Sequence, residues 1–296
     1  MIKRALVVLK QTSYERFVLR RRDPLSLQLL EEGDRSVRSS LATHRSHTST
    51  VETVKKVLAK LGVKTTIRDR REGRVPHGTD IVVTVGGDGT LLTTSHSLGA
   101  GIPIVGINSS PNTSVGFFCA GAKDEVPDIL EQALLGKLPA LHLARMRVER
   151  NGDCLSNRVL NDALFCHASP AATSRYELTL IGRGRKEAEE HRSSGIWVGP
   201  AAGSTAAQKS AGGRVLSLRS KALQYVVREP YVQDGHHLYM QRGLVPDHAE
   251  LFILSKMRSA RLFLDGPDRA FHLKLGDRIR LSRSEEPLTV LGMRKR

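Results

Sequence analysis

Ile81-Val82-Val83-Thr84-Val85-Gly86-Gly87-Asp88-Gly89-Thr90-Leu91-Leu92 is the stretch on which the reading of this chain turns. Its first five residues are apolar or β-branched, the composition of a buried strand. They run straight into Gly-Gly-Asp-Gly-Thr, and Leu91 to Leu98 then read as the opening turns of a helix. A strand, a glycine turn and a helix together let backbone N–H groups approach a phosphate closely. Asp88 is the one charged side chain in the turn. A carboxylate beside a phosphate cradle repels the phosphate unless it has a task, such as holding a metal ion or accepting a proton from an attacking hydroxyl. The same turn also occurs without chemistry. Asp-Gly is a hairpin signal as well, but the segment after it does not alternate like a second strand.

Outward from the turn, strands and helices alternate. Residues 4–9 read as a strand, followed by an irregular basic segment. Ser49 and Glu52 fit a capping box that opens a helix, with Val51, Val54, Val57, Leu58 and Leu61 at helical spacing and Gly62 as its stop. Pro103–Asn108 is another short buried strand, ending in the polar loop Ser109-Ser110-Pro111-Asn112-Thr113-Ser114. A further helix is predicted from Asp124, with Val126, Ile129, Leu130, Ala133 and Leu134 inward and Gly136 closing it. This alternation implies a mostly parallel sheet. Ligands of such sheets sit beyond the carboxyl ends of the strands, where the Asp88 turn and the Asn108 loop both lie. After about residue 142 the texture changes. Leu143–Arg150, Glu177–Ile181, Ile196–Val198, Ala260–Leu264 and Arg278–Ser282 look like strands separated by turns such as Asn151-Gly152-Asp153 and Asp265-Gly266-Pro267. The fold class is therefore an α/β N-terminal domain over 1–142, followed by a β-rich, sandwich-like domain over 143–284.

The 296 residues suffice for two domains. No apolar stretch approaches a membrane span, and the five apolar residues Ala5–Leu9 suit a first strand and are too short for a secretory signal. Cys119, Cys154 and Cys166 are odd in number, widely spaced and without a CxxC pair. They fit reduced thiols, and a cytoplasmic location is expected. The net charge is +16, and residues 1–75 hold 18 Lys or Arg against 8 Asp or Glu. Such an excess favours polyanions. The basic region lacks interleaved aromatics and any known nucleic-acid module, so it reads mostly as a solvated surface and nucleic acid is not an expected partner.

With these residues in place, the chain resembles the NAD kinase family over nearly its whole length. The resemblance rests on Gly86-Gly87-Asp88-Gly89-Thr90; Gly106-Ile107-Asn108 leading to Gly116-Phe117-Phe118; Asn161-Asp162; Ser194-Gly195 through Gly203-Ser204-Thr205-Ala206 to Ser210-Ala211-Gly212-Gly213; and Phe263-Leu264-Asp265-Gly266. Gly-Gly-Asp-Gly is shared with diacylglycerol, sphingosine and 6-phosphofructokinase-like kinases, while the block at 203–213 is more specific. The resemblance implies transfer of the γ-phosphoryl group of ATP, or sometimes polyphosphate, to the 2′-hydroxyl of the adenosine ribose of NAD(H). Asp88 is implied as the base. Gly86, Gly87, Gly89 and Thr90 are implied at the ATP phosphates, with Mg²⁺ carried by those phosphates and no direct protein ligand. Asn108, Phe117, Asn161, Asp162, Ser194, Ala202, Gly203, Ser204, Thr205 and Ala206 are implied at the dinucleotide. The family also implies a homodimer or homotetramer, no membrane partner, and a return of residues 285–296 to the first domain.

The pattern breaks at the dinucleotide pocket. Ser194 stands where the family has Asp, Ala207 where it has Tyr, and Asp162 where it has Glu. Arg192-Ser193-Ser194-Gly195, Ala201–Ala207 and His47 are similar to a divergent branch that includes plant kinases preferring NADH. Reduction neutralises the nicotinamide, so a site lacking one carboxylate is electrostatically consistent with that acceptor. Two alternatives remain open at this level: a related kinase acting on a lipid or sugar hydroxyl, and a catalytically inactive dinucleotide-binding protein.

Overall fold

Short β-branched runs and capped helices build the first part of the chain. The computed structural model describes residues 2–182, 184–232 and 237–293. Its first strands are β1 (Arg4–Leu9), β2 (Lys64–Asp69), β3 (Ile81–Gly86), β4 (Ile104–Asn108), β5 (Cys119–Ala122) and β6 (Ala140–Leu143). The helices are α1 (Pro24–Glu31), α2 (Arg35–Lys60), α3 (Asp88–Ser95) and α4 (Val126–Leu134).

The basic segment after β1 is helical, which corrects the irregular stretch expected there. A π-helical turn covers Tyr14–Arg20. The Asp23 carboxylate caps α1 by accepting from the Ser26 amide, and Asp34 caps α2 by accepting from the Ser36 amide. The helix predicted to open at Ser49 therefore starts well before it, and Ser49 lies in its interior. The early turns of α2 carry little apolar periodicity, because their buried face holds only Val37 before His47 and Thr50 take over. Only Val51, Val54 and Leu58 continue the stripe in apolar form. Gly62 ends the chain's turn out of α2 at φ 69°, and Gly136 follows α4 at φ 68°, both left-handed positions that suit glycine. A 3₁₀ turn at Lys123–Glu125 precedes α4.

Twelve strands follow: β7 (Met146–Arg150), β8 (Asp153–Val159), β9 (Ala163–His167), β10 (Ser174–Gly182), β11 (Arg185–Ser193), β12 (Gly195–Pro200), β13 (Leu223–Arg228), β14 (Arg242–Val245), β15 (Glu250–Ser255), β16 (Ala260–Leu264), β17 (Ala270–Leu273) and β18 (Arg278–Arg283); β19 (Leu288–Leu291) comes last. The strand predicted over 143–150 is broken at Arg145, whose fully buried guanidinium donates through Nε to the Glu286 carbonyl at 2.6 Å.

The chain divides into two units, one formed by residues up to Leu141 with those from Leu288 on, the other by His142–Pro287. Met1 and residues 294–296 of the expected C-terminal return lie outside the described residues. The first unit holds a seven-stranded sheet in the order β2-β1-β3-β4-β19-β6, with β5 also paired to β4. The β1–β2, β1–β3, β3–β4, β4–β5 and β4–β19 pairs are parallel. The strand order reverses at β1, so the crevice at the carboxyl ends of β1 and β3 is a topological switch point, the place where such sheets bind ligands. The second unit holds two six-stranded sheets, β11-β10-β15-β18-β7-β8 and β14-β13-β12-β9-β16-β17, both antiparallel. Inward residues of both sheets, including Tyr176, Ile253, Phe165 and Val198, share one core. No helix of the described residues is long and apolar enough to cross a membrane.

Candidate functional site

In the first unit the glycine turn sits at the carboxyl end of β3, every residue of which is buried. Close packing leaves no room for side chains at its first two glycines. A Cβ on Gly86 would stand 2.2 Å from the Thr90 hydroxyl, and one on Gly87 would stand 2.3 Å from the Ser114 hydroxyl. Thr90 is buried beneath the turn and fills the space that Gly86 leaves. Gly89 is different: a Cβ there would meet nothing closer than an Arg70 Nη1 at 4.0 Å, so the turn is open at this point.

Asp88 is the first residue of α3. Its Oδ2 accepts from the Phe117 amide at 2.9 Å and its Oδ1 from the Phe118 amide at 2.8 Å. Each oxygen keeps acceptor capacity after one such bond, so the carboxylate is fixed in direction and still able to take a proton. Those two amides are themselves placed by Asn108. The buried Asn108 side chain donates from Nδ2 to the Ser114 carbonyl at 2.9 Å and accepts the Ser110 amide at 3.0 Å. It thereby shapes the loop that leads through Gly116 (φ 63°) to Phe117. A Cβ on Gly116 would lie 2.5 Å from Asn108 Nδ2. Asn108 thus works on Asp88 through the loop. Phe117 is half-buried and packs edge-on to Phe118, with ring centroids 5.1 Å apart. On the loop's other side, Ser46 donates to the Ser109 carbonyl at 2.8 Å and His47 Nδ1 meets the Ser109 hydroxyl at 3.0 Å. Burial, and then the positive Lys10 nearby, pushes the His47 pKa down to about 4, so the ring is neutral at physiological pH.

In the second unit, Asn161 and Asp162 enter β9 and meet the turn that follows β12. Gly203 approaches so closely that a Cβ on it would lie 1.6 Å from the Asn161 carbonyl oxygen, and a Cβ on Gly199 would lie 2.3 Å from the same atom. The buried Gln208 donates to that carbonyl at 3.3 Å and accepts from Gln224 Nε2 at 3.0 Å. Ser204 is fully buried. Its hydroxyl donates to the Ala201 carbonyl at 2.7 Å and accepts the Leu216 amide at 2.9 Å, so it staples the turn. Ala202 is buried, Ala206 is half-buried and Thr205 is exposed. Ser194 lies elsewhere. It precedes β12, whereas Gly199 and Gly203 end it, and five residues of extended chain separate Ser194 from Gly199 by about 16 Å. Within this unit Ser194 is not brought together with Asn161, Asp162 and the 202–206 turn.

Asp265 organises this cluster from about a hundred residues further along the chain. Its Oδ2 accepts the Leu160 amide at 2.8 Å, and its Oδ1 accepts those of Asn161 at 2.7 Å and Asp162 at 3.0 Å. Its own amide donates to the Asp162 carbonyl at 2.9 Å, with Asp265 held at φ 50°. Its sequence signals are the Asp-Gly turn and the block Phe263-Leu264-Asp265-Gly266, to which no role is attached. Burial, and then repulsion from Asp265, raises the Asp162 pKa to about 7. A carboxyl whose folded pKa lies above its unfolded value near 4 stabilises the fold fully below pH 4 and loses that contribution as pH rises through 7. Asp162→Asn is therefore expected to gain about 2–4 kcal/mol relative to wild type between pH 4 and pH 8. Thermal unfolding of both proteins at pH 5 and pH 8 checks this, and an unchanged difference contradicts it.

Among the described residues no three His, Cys, Asp or Glu side chains form a group able to hold a metal ion. The N-terminal domain of ATP-NAD kinase matches residues 13–137. A probable NADH kinase from Oryza sativa subsp. japonica is 32% identical over 267 residues, which is 83% of this chain and 82% of that one. The fold is similar to that of a yeast NADH kinase solved with NADH, with a TM-score of 0.72 at 14% identity over 99% of this chain and 84% of that one. It is likewise similar to an Archaeoglobus fulgidus NAD kinase solved with ATP, with a TM-score of 0.68 at 20% identity over 99% and 94%. A third of the residues shared with the rice kinase over most of both chains, on a fold of this kind, means that the chain belongs to the NAD kinase family.

Proposed function

We propose that this NAD(H) kinase moves the γ-phosphoryl group of ATP to the 2′-hydroxyl of the adenosine ribose of NAD(H), with Asp88 as the base. The observation that carries the reading is the Asp88 carboxylate, held by two backbone amides at the mouth of a glycine turn at the sheet's switch point. In the reaction the 2′-oxygen forms a bond to the γ-phosphorus, the bond from that phosphorus to the β,γ-bridging oxygen breaks, and ADP leaves. The hydroxyl proton passes to Asp88 Oδ1 or Oδ2. Phosphoryl transfer needs positioning and charge neutralisation more than covalent help, so a carboxylate that accepts the proton late suffices. Mg²⁺ carried on the ATP phosphates would supply part of that neutralisation. This chain's part is to fix the carboxylate's direction through Asn108, the 109–116 loop and the Phe117 and Phe118 amides.

Asn161, Asp162 and the 202–206 turn form the dinucleotide half-site of this reading. Its charge favours NADH. Asp162 carries only part of a negative charge near neutral pH. A nicotinamide cation gains less from such a pocket than from one with a fully ionised carboxylate. The rice relative is named as a probable NADH kinase. The test is NADP(H) formation from ATP and Mg²⁺ with either dinucleotide. A kcat/KM for NADH about tenfold or more above that for NAD is expected, equivalent to about 1.4 kcal/mol of discrimination. Preference for NAD would overturn the acceptor assignment, and no turnover of either would overturn the kinase. A homo-oligomeric assembly in the cytoplasm belongs to the same proposal, the three free cysteines fitting a reducing compartment.

A further inference from the structure

Lys10 and Arg70 stand at the carboxyl ends of adjacent strands, and both border the glycine turn. Lys10 follows β1. Its amide donates to the Val85 carbonyl at 3.2 Å, and its Cβ lies 3.3 Å from the place a Gly86 Cβ would occupy. Arg70 follows β2. Its amide donates to the Leu9 carbonyl at 3.1 Å, and its Nη1 is the side-chain atom nearest the open face of Gly89, at 4.0 Å from a Cβ built there.

Among the described residues neither cation has an ion-pair partner. Lys10 Nζ donates to a neutral group, the Ser110 hydroxyl at 2.9 Å. Burial lowers its pKa, and the charge of Arg70 lowers it further. Asp88 accepts the Phe117 and Phe118 amides, Asp69 the Arg71 amide, and Glu72 pairs with Arg68. His47, also close to Lys10, is neutral. Two half-buried cations thus repel each other beside the turn. Removing cations from water without an anion costs free energy, which a bound polyanion returns.

We propose that Lys10 and Arg70 form a clamp for the polyphosphate chain of the phosphoryl donor, one beside Gly86 and the other beside Gly89 of the glycine turn. The clamp rests on the kinase reading above and adds to it the two side chains that neutralise the donor. Lys10 acts as a point charge whose two remaining N–H bonds are free for phosphate oxygens, and Arg70 offers a planar fork suited to two oxygens at once. The turn beside them has no side chain at Gly89, which leaves space for the chain of phosphates. The basic excess of the first 75 residues thereby separates into a general solvated surface and two cations with a task.

The test measures binding of ATP and of inorganic tripolyphosphate by calorimetry, and KM for ATP and for the dinucleotide in turnover. Lys10→Met, which keeps the packed stem, and Arg70→Gln are each expected to weaken ATP and tripolyphosphate binding about 10- to 100-fold. Dinucleotide KM should stay within about twofold, and Arg68→Gln, which removes a cation already paired, should leave donor binding unchanged. If Lys10→Met fails to fold, Arg70→Gln and the charge-keeping Lys10→Arg decide. Donor affinity and ATP KM unchanged in the folded variants would overturn the clamp while leaving the kinase in place. Absence of ATP and tripolyphosphate binding to the wild type would overturn it as well. Charge-dependent donor binding without NADP(H) formation would sustain the clamp and overturn the acceptor assignment instead.

Discussion

Asp88→Asn is expected to lower kcat by about 10²- to 10⁴-fold, the usual weight of a positioned general base. Both oxygens of Asp88 serve as acceptors for amides, so the substitution has a structural side as well. The Asn carbonyl can accept one of the two N–H groups, while its NH₂ faces the other. Losing one such bond costs about 1–3 kcal/mol in a half-buried setting. The variant should therefore stay folded, with KM for ATP and for the dinucleotide within a few-fold of wild type, and be nearly inactive. Steady-state kinetics beside thermal unfolding separates the two effects. A variant with more than about a tenth of wild-type kcat would show that the proton leaves by another route.

Gly203→Ala is expected to do the largest structural damage of any single methyl group. A Cβ at 1.6 Å from the Asn161 carbonyl oxygen overlaps backbone, and backbone on both sides is fixed. Asp265 holds the 160–162 segment through three amides, and Ser204 staples the turn on the other side. Neither partner can give by the required distance without breaking those bonds. The expected cost is about 3 kcal/mol or more, a fall of roughly 10 °C in unfolding temperature, with loss of dinucleotide affinity even where the protein stays folded. A variant with wild-type stability and an unchanged dinucleotide KM would mean that the Asn161 peptide is not held as described.

The central strand-turn-helix was legible because it is local: β-branched residues, then glycines, then a helix, within twelve positions. The buried faces of α4 and β16 were legible for the same reason, their periodicity lying in consecutive residues. The early turns of α2 were hidden because a strong capping signal at Ser49 outweighed the true cap at Asp34, and the buried face ahead of Val51 holds Val37, His47 and Thr50, of which only Val37 is apolar. β11 was hidden because its Arg185-Lys186-Glu187-Ala188-Glu189-Glu190 run is exposed. Charges on an edge strand guard against pairing with other chains and erase the hydrophobic signal of a strand. The site residues divide likewise. Asp88, Asn161–Asp162 and the block ending in Asp265-Gly266 stand out as motifs, whereas Lys10 and Arg70 owe their positions to register and to loops far away in sequence. The side chains of Asn108 and Ser204 hydrogen-bond to loops and turns, and that of Thr90 packs against Gly86.

β19 pairs in parallel with β4 although the whole of the second unit is encoded between them. During synthesis the ribosome completes β1 to β5 long before it makes Leu288–Leu291. Until then β5 covers only the later residues of β4, and the edge at Ile104 and Val105 keeps unpaired N–H and C=O groups. The first unit cannot reach its final state one domain at a time from the N-terminus, in the way many multidomain chains do. Its completion waits until the second unit has been synthesised, and through that interval the edge that β19 will cover is open to wrong pairing.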